Sequence, residues 1–138
     1  MTLSQQIIEI IKKSKTIAVV GISRNSEKAS NYVPKYLQDQ GFKIIPVNPF
    51  ASEILGEKAY PTLQSIPDKI DIIQIFRPSD ETPAIVQEAV KLKPKLIWLQ
   101  LSIESVKAQA IALRNDIPIV MDHCLKIEHM KLKENNLL

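Results

Sequence analysis

Short apolar runs alternate along the chain with longer segments in which apolar residues recur every three or four positions. Leu3, Ile7, Ile10 and Ile11 are spaced as on one helix face among Gln5, Gln6 and Glu9. Residues 16–20 are a run rich in β-branched side chains and predict a first strand, which ends at Gly21. A polar loop over 23–28 leads into Ala29, Val33 and Leu37, four apart, which predicts a helix beginning near Ser30. That start places Pro34 in the first turn, where its missing N–H costs least, and Gly41 closes the helix in the left-handed conformation. A second strand is expected over 43–47, cut off by Asn48 and Pro49. Beyond a short excursion through Leu55, Gly56 and Tyr60, a third strand is expected over 70–76 and a helix over about 82–92, opened by Pro83. A fourth strand over 96–101, a helix from 102 or 104 to 114 and a fifth strand over 117–121 follow. The tail after Cys124, with Ile127, Met130 and Leu132, reads as a short helix or turn before a polar end.

Strands apolar on both faces must be covered on both faces, so the pattern predicts an α/β, Rossmann-like fold of three layers. It has a five-stranded parallel sheet with helices on each side, and right-handed crossovers favour the order 3-2-1-4-5. No internal repeat, low-complexity tract or flexible linker divides the sequence, so residues 1–138 read as a single domain.

Composition narrows the function classes. A hydrophobic share of 45% and a charged share of 24% fit a water-soluble globular chain and exclude disorder and a membrane protein. Aromatic residues make up 5%, too few for base-stacking platforms. The 18 basic and 15 acidic residues are interspersed and leave a net charge of +3, which suits an anionic small molecule. Without a basic stripe there is no footprint for nucleic acid. Cys124 is the single cysteine, so no disulfide can form within the chain, and a reducing, cytoplasmic setting is expected. The helical pattern at the N-terminus is not that of an export signal, and no stretch is long enough to span a bilayer.

In an open parallel sheet ligands bind beyond the carboxyl ends of the strands, where the strand order reverses. That rule selects the loops beginning at Gly21, Val47, Phe76, Gln100 and Asp122. The first, Gly21 through Lys28, joins a strand to a helix whose free N–H groups favour a phosphate. It has one glycine and no full G-x-G-x-x-G fingerprint, so close approach rests on Gly21 and the small Ser23; alternatively Gly21 only turns the chain and Ser23 and Ser30 cap a helix. The second loop carries Asn48 where an NAD domain places Asp or Glu; a neutral amide can meet a ribose or adenine without repelling a sugar phosphate, or Asn48-Pro49 is simply a turn. Arg77 follows the third strand and offers a planar fork for phosphate, unless it pairs with Asp80 or Glu81.

Catalytic signals are thin. His123 and Cys124 are adjacent, and neighbours at a strand end point to opposite sides, so a structural cysteine and a loop histidine fit better than a nucleophile with its base. Two histidines and one cysteine near the tail do not make a four-ligand metal centre.

Several pieces occur in a fixed order: Val20-Gly21-Ile22-Ser23 through Lys28, then Gly41 through Pro49, Gly56, Asp71 with Phe76-Arg77, Trp98-Leu99-Gln100, and Asp122-His123-Cys124 with Lys126-Ile127-Glu128. Together they resemble the stand-alone CoA-binding domain proteins, similar to the CoA-binding domain of the succinyl-CoA synthetase α subunit. The resemblance runs from about Thr16 to Glu128. It implies coenzyme A lying across the strand ends, with its phosphates near Gly21, Ser23, Arg24 and Lys28. The adenosine would lie beside Val47, Asn48 and Pro49 and reach toward Phe76 and Arg77, and Gln100 would lie near the distal part. Three positions depart from the family pattern: Ser102 stands where it usually has glycine, and His123 and Leu125 where it often has Arg and Pro.

Three functions from different classes follow. The chain binds CoA or an acyl-CoA as a non-catalytic carrier, sensor or binding module; or it is a small NAD(P)-binding enzyme or redox sensor; or it is a protein-interaction module whose nucleotide site has decayed. A homo-oligomer or a partner enzyme subunit is compatible with the first.

Overall fold

The computed structural model describes residues 3–138. Helix α1, Gln5–Lys13, is capped by Ser4, whose hydroxyl accepts the Ile7 N–H, and it buries Ile7, Ile8 and Ile11. Strand β1, Thr16–Val20, is followed by α2, Ala29–Asp39, and by β2, Lys43–Val47. A small hairpin of β3, Glu53–Ile54, and β4, Glu57–Lys58, turns through Leu55 and Gly56, both at positive φ as a two-residue hairpin loop demands. Then come β5, Ile72–Ile75, α3, Thr82–Ala89, β6, Leu96–Leu99, α4, Val106–Arg114, β7, Ile119–Val120, and α5, Leu125–Glu134.

Alternate residues of each strand enter opposite cores, which makes three layers. Ile17 and Val19, Ile72, and Leu96 and Trp98 pack with Ile7, Ile11, Val33, Leu37, Leu125 and Leu132 beneath α1, α2 and α5. Ala18, Ile73 and Ile75, and Ile97 and Leu99 pack with Val86, Ala89, Ala108 and Ala112 beneath α3 and α4. The chain is therefore an α/β, Rossmann-like fold on a five-stranded parallel sheet, as its sequence predicts. No helix is long and apolar enough to cross a membrane among the described residues.

The strand order is not the expected 3-2-1-4-5. It runs β2-β1-β5-β6-β7, so the third long strand returns to pair with β1 instead of extending the sheet beyond β2. Pro46 is the physical reason. It lies in register with Val19, but its carbonyl points to the outer side of β2, where it accepts the Tyr60 N–H. The N–H that Pro46 lacks would face that same side, so β2 cannot be flanked by a full strand there. The excursion through Tyr60 covers the edge with a single bridge at Val47.

Other bounds also move: β5, β6 and β7 are shorter than the expected 70–76, 96–101 and 117–121, and α3 ends at Ala89 where about 92 is expected. Helix α2 starts at Ala29, which puts Pro34 in its second turn, not its first. The missing N–H of Pro34 leaves the Ser30 carbonyl free, and the Ser23 N–H takes it at 3.1 Å. Helix α4 begins only at Val106, because Ser102 is left-handed at φ 70 and Ser105 is the residue whose side chain caps, accepting the Ala108 N–H. The tail is a ten-residue helix, fastened by Leu125 and Leu132 to the first core.

Candidate functional site

The order β2-β1-β5 makes the chain leave β1 in one direction for β2 and return in the other for β5, so the switch point lies at the carboxyl ends of β1 and its two neighbours. A cleft of about 790 Å³ opens there. Its first wall is the loop after β1, with Gly21, Ser23, Arg24 and Lys28; its second is Val47, Asn48 and Pro49 after β2; Phe76 and Arg77 after β5 form the third. Nine of the ten residues expected to hold a ligand are thus brought together. Gln100 is not among them.

The first wall is organised by its own hydrogen bonds. Besides the Ser23 N–H to Ser30, the Asn31 amide donates to the Ser23 carbonyl at 2.7 Å, and Ser23 Oγ accepts the Asn25 N–H at 3.0 Å. Asn25 Oδ1 accepts the Glu27 N–H in turn. Ser23 is therefore a keystone of the loop, with its polar groups engaged inward, and it does not cap α2; nor does Ser30, which lies inside that helix. No side chain caps the start of α2, which leaves its first N–H groups unspent at a cleft edge lined by Lys28 and Ser30.

Gly21 has φ 83, and a Cβ built on it would stand 2.5 Å from the Phe76 carbonyl oxygen and 2.9 Å from Arg77 Cδ. The glycine is required twice over: for its left-handed backbone and for the crossing of the Phe76-Arg77 segment against it. Asn48 ties two walls together. Its Nδ2 donates to the Ile22 carbonyl at 2.9 Å and its Oδ1 accepts the Phe50 N–H at 2.7 Å. Phe50, 88% exposed, stands on the cleft rim beside it.

Three cations, Arg24, Lys28 and Arg77, and one carboxylate, Glu81, line the cleft. Arg24 and Lys28 have no ion-pair partner among the described residues. Arg77 does: its Nε donates to Glu81 Oε1 at 3.1 Å and its Nη2 to Glu81 Oε2 at 2.9 Å. Pairing with Glu81 was one of the two arrangements open to Arg77 from its sequence, and it is the one seen.

Gln100 lies in a second, apolar groove of about 360 Å³ that shares Phe76 with the first. Tyr32, Val33, Leu101, Ile103 and Ile127 supply its apolar lining, and Cys124 and Lys126 its polar edge. Gln100 is 4% exposed, and its Oε1 accepts both the Gln74 Nε2–H at 3.0 Å and the Leu125 N–H at 3.2 Å, docking α5 onto the sheet. The Trp98 indole N–H does the same at the His123 carbonyl, at 2.7 Å. Ser102 adopts the left-handed backbone that favours glycine, and its N–H donates to Asp122 Oδ1 at 2.7 Å. His123 Nδ1 lies 3.9 Å from Glu128 Oε2, and no hydrogen bond joins it to Cys124 among the described residues. No group of three or more metal-ligating side chains is present among them either.

The cleft residues not named as ligand-holding from the sequence are Val20, Ile22, Asn25, Ser30, Phe50, Pro61, Glu81 and Ile85. Phe50 and Glu81 carried a signal: Phe50 directly follows a named wall position, and Glu81 lies four residues after Arg77, the spacing of a helical ion pair.

Comparison with known proteins agrees with the fold. The chain is 37% identical over 128 residues to the uncharacterized protein YneT of Bacillus subtilis, an alignment covering 93% of this chain and 95% of YneT. The structure of cell-free ID.343 from Thermus thermophilus superposes with a TM-score of 0.89 at 35% identity, covering 93% of this chain and 97% of that one. An ADP-forming acetate–CoA ligase of Methanocaldococcus jannaschii is 29% identical over 136 residues; the match takes in 93% of this chain but 19% of the ligase. The model of the CoA binding domain matches residues 15–130, and the chain belongs to that family.

Proposed function

We propose that the protein binds coenzyme A or an acyl-CoA as a non-catalytic carrier, sensor or binding module. One observation carries this reading: a cationic cleft at the switch point and an apolar groove share Phe76 as a common wall. Coenzyme A has that same polarity along its length, a phosphorylated adenosine at one end and a largely uncharged pantetheine arm at the other. The phosphates would lie against Gly21, Ser23, Arg24 and Lys28, the adenosine against Val47, Asn48 and Pro49, and the arm would pass Phe76 and Arg77 toward Gln100. Asn48 in place of an acid speaks for a phosphorylated ribose and against NAD. The membership in a CoA-binding family supports the ligand.

A thermal-shift panel tests the reading. A ligand at one hundred times its Kd adds about 2.7 kcal/mol, which for a chain of this size raises Tm by roughly 5–10 °C. CoA and acetyl-CoA should produce that rise, with NAD and NADP producing little. No rise with CoA, its acyl esters or dephospho-CoA would end this proposal. A larger rise with NAD(H) or NADP(H) would replace it with a redox enzyme or sensor.

A further inference from the structure

Arg77 is built into the cleft. Its side-chain stem crosses the bare Cα of Gly21, and its fork is turned to Glu81, four residues on, in a two-pronged pair. Glu81 stands at the start of α3, where a carboxylate ordinarily caps backbone N–H groups; its side chain caps none and reaches back to Arg77. Both side chains are 46% exposed and both line the cleft, so the pair is open to solvent and to anything entering. A carboxylate and a phosphate present the same acceptor geometry to a guanidinium. An ion pair this exposed is weak, whereas a phosphate brings more charge and meets the two unpaired cations, Arg24 and Lys28, as well.

We propose that Glu81 is an internal stand-in for a ligand phosphate: it holds the Arg77 fork and gives it up when the ligand arrives. Glu81 is then a positioning residue that sets the affinity threshold of the site and screens out weakly charged ligands. This rests on the CoA-binding reading above. Its chemistry requires only that the ligand carry a phosphate group, either the 3′-phosphate or the diphosphate of CoA.

Calorimetric titration of CoA and dephospho-CoA into the wild type, Glu81→Gln, Arg77→Ala and the double variant tests it. Glu81→Gln should bind CoA about three- to tenfold more tightly, because the competing charge is gone, and its Tm should stay close to wild type. The gain should shrink at high salt and vanish when Arg77 is also replaced. A gain with CoA alone assigns the 3′-phosphate to Arg77; a gain with both ligands assigns the diphosphate. Wild-type binding of CoA with unchanged or weaker binding by Glu81→Gln would overturn the exchange while leaving the CoA reading in place. No binding of either ligand by any of the four proteins would overturn both.

Discussion

Asn48 shows how much a single side chain does at the cleft. Its amide is spent on the backbone at both ends, on the Ile22 carbonyl and the Phe50 N–H, so it fixes the distance between the loops after β1 and β2. Asn48→Ala removes both bonds and should cost about 1–2 kcal/mol, read as a lower midpoint in urea, and should weaken CoA binding because the adenosine wall is loosened. Unchanged stability and unchanged affinity together would show that the loops hold themselves. The sequence argues for a neutral residue at this position but cannot tell a ligand contact from a loop tie, since both use the same amide. Arg77 was ambiguous in the same way: its i+4 neighbour Glu81 is visible in the sequence, yet only the structure shows that the pair faces the cleft.

Among elements, β1, β2 and the helices between strands are legible from periodicity, and β1 and β2 keep their expected bounds, Thr16–Val20 and Lys43–Val47. What periodicity does not carry is neighbour identity. The run that became β5 is apolar on both faces, so it would fit beside β2 or beside β1; the deciding residue is Pro46, whose outward side is fixed only once the register is known. The edge opposite the cleft is tied by another residue, Asp71. Its Oδ2 accepts the Lys15 N–H at 2.8 Å and the Thr16 N–H at 3.2 Å, and Lys95 Nζ lies 3.5 Å from its Oδ1, so one carboxylate joins the starts of β1 and β6 to the segment before β5. Partial burial pushes the Asp71 carboxyl up, but the two backbone N–H groups and Lys95 outweigh it and hold it below the ordinary value of 3.8. A carboxylate depressed in the folded state contributes stability above its unfolded pKa and loses it as pH falls through the folded one. Asp71→Asn should therefore lower stability by about 1.5–3 kcal/mol at neutral pH, narrow that gap at pH 3 and leave CoA affinity alone. A loss of affinity equal to that of cleft variants would show that the two ends of the sheet are not independent.

At the scale of the whole molecule, the last helix is held by a buried histidine whose charged form the fold disfavours. His129 on α5 is buried against α2 and the turn after it: Nδ1 lies 2.8 Å from the Tyr36 hydroxyl, and Phe42 meets the ring edge-on at 5.7 Å between centroids. Burial pushes the His129 pKa below its ordinary 6.5, and the charge of Lys133 adds to this. Lys12 and Lys15 border the small cavity beside the ring, so a protonated imidazole would find cations there. Burial also pushes the Tyr36 hydroxyl above 10.0, helped by Glu134, so it stays protonated, and we assign its O–H as donor to the neutral ring. Unfolded chains bind a proton at this histidine near pH 6.5, whereas the folded protein resists it to lower pH. The contribution of the neutral ring is thus intact above pH 6.5 and drains away as pH falls from there through the depressed folded value. Because α5 also carries Leu125 and Leu132 into the first core, the loss falls on the global transition and not on a frayed end. Urea unfolding should show wild-type stability dropping between pH 7.5 and 5.0. His129→Gln should begin about 1 kcal/mol lower at pH 7.5, from the lost hydrogen bond, and stay nearly flat over the same interval. Parallel slopes in the two proteins would assign the acid sensitivity to another group and leave His129 a packing residue only.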